Sequence, residues 1–191
     1  MKGERRAAAK ARPDAAVHAA RNFLGAIPIT DGEIVSLYYP IKTELNTEPL
    51  VASLIEHGAK IALPVVTGKD QPLEFRRYTP GDELVRGSYG ELIPTADATA
   101  VSPSVIVAPL LAFTRNGGRL GYGGGYYDRT IAALREEGAV LAVGFAYGAQ
   151  EVDALPLSPL DQPLDWVVTE RAATRFVKTG LGLSSGADFC V

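Results

Sequence analysis

Hydrophobic and polar positions along the chain fall into two kinds of block. Glu33-Ile-Val-Ser-Leu-Tyr-Tyr39, Lys60-Ile-Ala-Leu63, Val105-Ile-Val-Ala108 and Val140-Leu-Ala-Val-Gly-Phe145 are short and nearly continuous in apolar character. Strands covered on both faces read this way. Pro40 ends the first of them, and Trp166-Val-Val-Thr169 reads as a last short one. Longer stretches with few breakers lie between. Residues 4–24 are rich in Ala and Arg and predict a helix that Pro13-Asp14 interrupts or restarts. Thr47 is placed to cap a helix from Glu48 to His57, with Pro49 in its first turn and Gly58 as its stop. Thr130-Ile-Ala-Ala-Leu-Arg-Glu-Glu137 is helical and stops at Gly138. Residues 72–94 hold shorter β-like pieces around Pro80-Gly81 and Arg86-Gly87, an antiparallel excursion.

This alternation predicts an α/β fold: an open, mostly parallel sheet with helices on both faces, Rossmann-like and three-layered. The chain has 191 residues, 47% of them hydrophobic, enough for one domain over residues 1–177. Residues 178–191 are Gly/Ser-rich and are expected to form a flexible tail. A net charge of −3, with no basic block beyond the start, argues against nucleic-acid binding. No run approaches the ~18 apolar residues of a membrane span, and the charged start lacks a signal-peptide core. The single cysteine, Cys190, has no internal partner. A cytoplasmic monomer acting on small molecules is expected.

One segment changes the picture. Arg119-Leu-Gly-Tyr-Gly-Gly-Gly-Tyr-Tyr-Asp128, followed by Arg129, lies between a buried strand and a helix. Glycines let backbone N–H groups approach phosphate oxygens, and a helix N-terminus adds free donors and a favourable dipole. Arg115, Arg119 and Arg129 add charge suited to phosphate, two adjacent tyrosines offer flat faces, and Asp128 offers a hard oxygen for Mg²⁺. The segment is not a Walker A loop, since no Gly-Lys-Ser/Thr follows, and it is a poor dinucleotide fingerprint, since Tyr126 sits where a third glycine belongs. Read locally, it is either an anion site or a turn, Asp128 either a ligand or a helix cap, and Asp161 either a ligand or a turn residue. His18 and His57 sit on predicted helices as structural residues, which leaves no zinc cluster and no Ser-His-Asp triad. Lys2, Arg5, Arg6, Lys10 and Arg12 read locally as the solvated face of an Ala-rich helix.

As a whole string, the glycine segment resembles the signature of the 5-formyltetrahydrofolate cyclo-ligase family. Lys2-Gly-Glu-Arg-Arg6 is similar to that family's N-terminal nucleotide-binding Lys…Arg pair, and Tyr39-Pro-Ile-Lys-Thr-Glu-Leu-Asn-Thr47 to its substrate turn. Phe75-Arg-Arg-Tyr-Thr-Pro-Gly-Asp82, Tyr89-Gly-Glu-Leu-Ile-Pro94 and Asp161-Gln-Pro-Leu-Asp-Trp-Val-Val-Thr-Glu170 extend the likeness over residues 2–170. The resemblance implies ATP binding by Lys2, Arg6, Arg119, Leu120, Gly121, Tyr122, Gly123, Gly124, Gly125, Tyr126 and Tyr127. It also implies folate binding by Glu44, Asn46, Tyr89, Gly123, Gly125 and Tyr126, and Mg²⁺ on Asp128 and Asp161. Asp165 stands as an alternative ligand or a supporting partner, and Arg119 as the catalytic cation. The implied reaction is ATP- and Mg²⁺-dependent cyclisation of 5-formyltetrahydrofolate to 5,10-methenyltetrahydrofolate, with release of ADP and phosphate. Two competing readings remain: a non-catalytic folate- or nucleotide-binding module, and a sugar-phosphate isomerase or coenzyme A transferase on the same sheet.

Overall fold

In the computed structural model, which describes residues 2–176, the apolar blocks form the strands that the patterning predicts. Helices α1 (Lys2–Ala11) and α2 (Ala15–Ala26) precede β1 (Ile34–Ser36). Helix α3 (Glu48–Glu56) leads into β2 (Lys60–Val66) and β3 (Leu73–Tyr78). A small ribbon of β4 (Leu84–Arg86) and β5 (Leu92–Pro94) is followed by β6 (Val105–Ala108). A second ribbon, β7 (Ala112–Phe113) with β8 (Arg119–Leu120), opens into α4 (Tyr126–Glu137). Strands β9 (Leu141–Phe145), β10 (Trp166–Val168) and β11 (Ala173–Arg175) complete the described chain. The predicted C-terminal tail and Cys190 lie outside the described residues. Among the described residues, no helix is long and apolar enough to cross a membrane.

The main sheet has seven strands in the order β11-β10-β9-β6-β1-β2-β3. Its five central strands are parallel, and each edge is an antiparallel addition, β3 beside β2 and β11 beside β10. Alternation along the strands feeds two cores, because successive side chains point to opposite faces. Val105, Val107, Val143 and Phe145 pack with α2 and α3 residues such as Phe23 and Leu54. Ile106, Ala142 and Val167 pack with Ile131 of α4 on the other face. The three-layer arrangement thus follows from runs that are apolar at every position.

Local departures from the sequence reading have local causes. Strand β2 runs through Pro64 because β1 accompanies it only to Ala62, and Pro64 pairs across the other side with Phe75. A proline without an N–H is tolerated where one side of the strand is open. Helix α4 begins at Tyr126 rather than Thr130, so Asp128 is the third residue of the helix, and the position before the helix is Gly125 in the left-handed region (φ 65°). Two tyrosines carry little helical propensity of their own. Thr47 precedes α3, but its hydroxyl donates to the Tyr38 carbonyl (2.9 Å); the Asn46 Oδ1 accepts the Glu48 N–H instead (3.0 Å). Strand β11 and the β7–β8 ribbon escaped the patterning because they are two or three residues long and mixed in polarity.

Gly144 shows how tightly the second core closes. A Cβ there would stand 2.7 Å from carbons of both Leu110 and Leu164, which are buried. Gly144→Ala is therefore expected to destabilise the fold by about 1–3 kcal/mol through overpacking. A lower urea midpoint at unchanged m-value would show it; an unchanged midpoint would mean the two leucines repack freely.

Candidate functional site

A cavity of about 730 Å³ opens at the carboxyl ends of β1, β2 and β6. Strand β1 has β2 on one side and β6 on the other, so the chain reverses its direction of growth between β1 and β6. The connections leave this point in opposite directions, and a crevice remains between them. Tyr38, Tyr39, Ile41, Lys42 and Glu44 line it from the turn after β1, Pro64 and Val66 from the end of β2. Tyr89, Glu91 and Leu92 come from the first ribbon, and Arg119 to Asp128 from the glycine segment. Pro156 and Asp161 close it from the loop before β10. A smaller space of about 350 Å³ adjoins it, sharing Tyr39, Ile41, Lys42, Tyr89, Glu91 and Leu92.

The glycines are required by the loop's shape. Gly123 (φ 89°) and Gly125 (φ 65°) occupy the left-handed region, where a Cβ is strained. A Cβ on Gly124 would lie 2.9 Å from the Tyr126 ring. Arg129, one of the arginines singled out in the sequence, braces this loop: its Nη2 donates to the Gly124 carbonyl (2.8 Å), and its guanidinium stacks 5.0 Å from the Tyr126 centroid. Tyr89 meets Tyr126 edge-on, with centroids 5.9 Å apart and hydroxyl oxygens 2.9 Å apart. This contact ties the first ribbon to the start of α4 across the cavity mouth.

Arg119 is buried, and its Nη2 donates to Asp128 Oδ1 (2.8 Å) while its guanidinium lies 5.5 Å from the Tyr127 centroid. Burial pushes the Tyr127 hydroxyl above its ordinary pKa, so the ring stays neutral beside this cation. Asp128 Oδ1 also accepts the Gln162 N–H (3.1 Å), which brings the loop carrying Asp161 against the start of α4. Asp161 Oδ2 accepts the Ser158 N–H (2.6 Å). Among the described residues no group of three or more His, Cys, Asp or Glu is arranged to hold a metal ion. Two carboxylates on one cavity wall nevertheless suit Mg²⁺, which is commonly held by one or two carboxylates together with substrate phosphates. Asp165, the alternative, lies elsewhere: its Oδ2 accepts from Arg135 (2.9 Å) and from the Ala142 N–H (2.8 Å), bracing β9.

The N-terminal basic residues divide in an unforeseen way. Arg6 is exposed, whereas Arg5 is buried. Arg5 Nε donates to Thr43 Oγ1 (3.2 Å) and Nη2 to the Tyr122 hydroxyl (2.7 Å). Arg5 Nη1 lies 3.6 Å from Glu44 Oε1. Lys2 is exposed, with Nζ 5.7 Å from the Tyr122 centroid. Asn46 is exposed and caps α3 rather than lining the cavity. Arg115 pairs at the surface with Glu151 (2.5 Å).

With this geometry in place, comparison with known proteins is decisive. A model of the 5-formyltetrahydrofolate cyclo-ligase family matches residues 1–170. The chain belongs to that family. The 5-formyltetrahydrofolate cyclo-ligase of Escherichia coli K12 is 35% identical over 147 residues, 74% of this chain and 80% of its own length. That of Mycolicibacterium smegmatis is 32% identical over 175 residues, 87% of this chain and 88% of its own. The solved Aquifex aeolicus 5,10-methenyltetrahydrofolate synthetase matches 96% of this chain and 95% of its own at 29% identity and a TM-score of 0.69. The Mycoplasma pneumoniae synthetase shows the same fold at 20% identity, with a TM-score of 0.64 over 88% of this chain and 98% of its own. As a member of the cyclo-ligase family, the chain is a ligase of folate one-carbon metabolism.

Within this family member, sequence reasoning passed over Arg5, Lys42 and Glu91. A signal for Arg5 existed: it stands three and four residues before Ala8 and Ala9, which pack against the core, whereas Arg6 neighbours only Ala9. Glu44 is buried, and that burial raises its carboxyl pKa against the opposing pull of the Ile41 N–H (2.9 Å) and Arg5. A raised native pKa means the folded state binds more protons than the unfolded state between the ordinary and the raised value. That contribution to stability is full below the ordinary value and is lost as pH rises through the raised one. Glu44→Gln is therefore expected to gain stability relative to wild type as pH rises. Urea midpoints of both proteins at about pH 5 and about pH 8 would test this; a constant difference would show that folding does not raise the Glu44 pKa.

Proposed function

We propose that this chain cyclises 5-formyltetrahydrofolate to 5,10-methenyltetrahydrofolate, converting ATP to ADP and phosphate in the presence of Mg²⁺. The observation that carries the reading is that one cavity is walled on one side by the glycine loop with Arg119, Asp128 and Asp161, and on the other by the turn holding Glu44. A nucleotide and a second substrate would meet there, and its volume lies within the range of about 300–1,000 Å³ typical of ligand sites.

The chemical difficulty is a formamide oxygen that leaves poorly. In the proposed reaction that oxygen attacks the γ-phosphorus and ADP departs. N10 of the same substrate then bonds to the activated carbon and loses its proton, and the carbon–oxygen bond breaks with both electrons going to phosphate. No protein nucleophile is needed, so the chain's task is alignment and charge neutralisation. Loop N–H groups and Lys2 would hold the triphosphate, with Arg6 at the helix edge beside it. Arg119 is already oriented by Asp128 and would act as a preorganised cation beside the transferring group. Mg²⁺ held by Asp128 and Asp161 would neutralise phosphate oxygens. Glu44, Tyr89 and Tyr126 would face the pterin, with Asn46 acting on the turn from outside the cavity.

Absorbance-monitored conversion of 5-formyltetrahydrofolate with and without ATP tests the activity. Turnover is expected only when both ATP and Mg²⁺ are present. Turnover in EDTA, or a rise in melting midpoint with sugar phosphates or coenzyme A but not with ATP, would replace this reading.

Asp128→Asn tests the metal assignment. Asparagine keeps an oxygen for the Arg119 and Gln162 donors, so the loss of stability should stay near 1–3 kcal/mol. The Mg²⁺ concentration for half-maximal rate should rise and turnover should fall, because a hard cation loses a carboxylate. Wild-type metal dependence in this variant would leave Asp128 as a brace for Arg119 alone.

A further inference from the structure

Arg5 is a buried cation that the reaction does not itself require. Removing a guanidinium from water costs several kcal/mol unless partners compensate. Its donors are divided between two segments that do not otherwise adjoin in sequence. Nε and Nη1 face Thr43 and Glu44 in the turn after β1, and Nη2 holds the hydroxyl of Tyr122 in the glycine loop. Arg5 also stacks 5.7 Å from the Tyr122 centroid. Within residues 121–125, Tyr122 carries the one side chain; the other four are glycines. The loop thus has a single side-chain handle, and Arg5 grips it.

We infer that Arg5 is a positioning residue that couples the glycine loop to the turn after β1, so that occupancy of either side of the cavity tightens binding on the other. A guanidinium is planar and its donors keep fixed relative directions. Thr43 and Tyr122 therefore cannot both keep their bonds while moving independently. A glycine-rich loop loses much backbone freedom when a ligand orders it. If the turn is already fixed by its ligand, Arg5 is held, Tyr122 is held with it, and part of that ordering has been done. Coupling of this kind is reciprocal and typically spans about 5- to 150-fold in affinity. Assigning the two sides to nucleotide and folate rests on the proposed function; the coupling of the two segments does not.

The first test needs no ligand. Backbone hydrogen exchange is compared across wild type, Arg5→Met and Tyr122→Phe. Tyr122→Phe removes one oxygen from a half-exposed ring and leaves the fold in place should Arg5→Met fail to fold. Both segments, residues 40–46 and 120–125, are expected to exchange faster in each variant. Acceleration confined to α1 or to the glycine loop, or none, overturns the coupling. The second test is calorimetric titration of 5-formyltetrahydrofolate and of a non-hydrolysable ATP analogue with Mg²⁺, each with and without the other. Wild type should show at least about 5-fold mutual tightening, and Tyr122→Phe should lose most of it. Equal tightening in both proteins, or none in wild type, overturns the inference. Binding of neither compound to wild type would sink the proposed function instead, and hydrogen exchange alone would then decide the role of Arg5.

Discussion

The sheet cannot keep adding strands on one side: after β1 and β2 the chain returns to lay β6 against the opposite edge of β1. Parallel strands need crossovers, and crossovers that depart in opposite directions leave the strand ends between them uncovered. The turn after β1 and the segment after β6 therefore face each other with nothing of the main sheet between them. Every feature of the site depends on that gap. Glu44 and Lys42 reach it because Pro40 ends the run after β1; Arg119 and the glycines reach it because β7 and β8 carry the chain back over the strand ends.

Charge within the gap is arranged in opposed pairs rather than as a positive basin. Arg119 faces Asp128, and Arg5 faces Glu44. Such pairs add little to stability once desolvation is subtracted, but they fix where a cation points. A polyanionic nucleotide would then meet oriented donors without having to reorganise them, which is the main source of electrostatic catalysis. Asp128 serves both purposes in the proposed reaction, orienting Arg119 through Oδ1 and offering carboxylate oxygen to a hard cation.

The fold was legible wherever burial imposes a periodic signal. Val105 to Ala108 is apolar at each position because it is covered twice, and the break at Pro13-Asp14 divides the N-terminal helices as proline should. What escaped was decided by distant contacts. Strand β11 is Ala-Thr-Arg and exists because β10 offers it an edge. Asp128 could be read locally as a helix cap as well as a ligand because two tyrosines hide the first turn of α4. The glycine segment was readable as a whole string through its resemblance to the family signature, whereas read locally it fitted a turn as well as an anion site. Lys2 and Arg6 show the opposite case: the family resemblance implied the pair, while the helix turns Arg5 inward, and the packing of Ala8 and Ala9 accounts for that burial.

The glycine loop also shows how rigidity can be supplied from outside. Four glycines in five positions give the backbone freedom to approach phosphate, and the same freedom leaves the loop with little intrinsic order. Three side chains from other places in the sequence compensate. Arg129 holds the Gly124 carbonyl from within α4, Tyr89 meets Tyr126 from the first ribbon, and Arg5 holds Tyr122 from α1. Each comes from a different element, so helix, ribbon and N-terminal segment all hold the loop. Placing the supports outside the loop leaves its four glycines on the cavity wall with no side chains of their own to fill it.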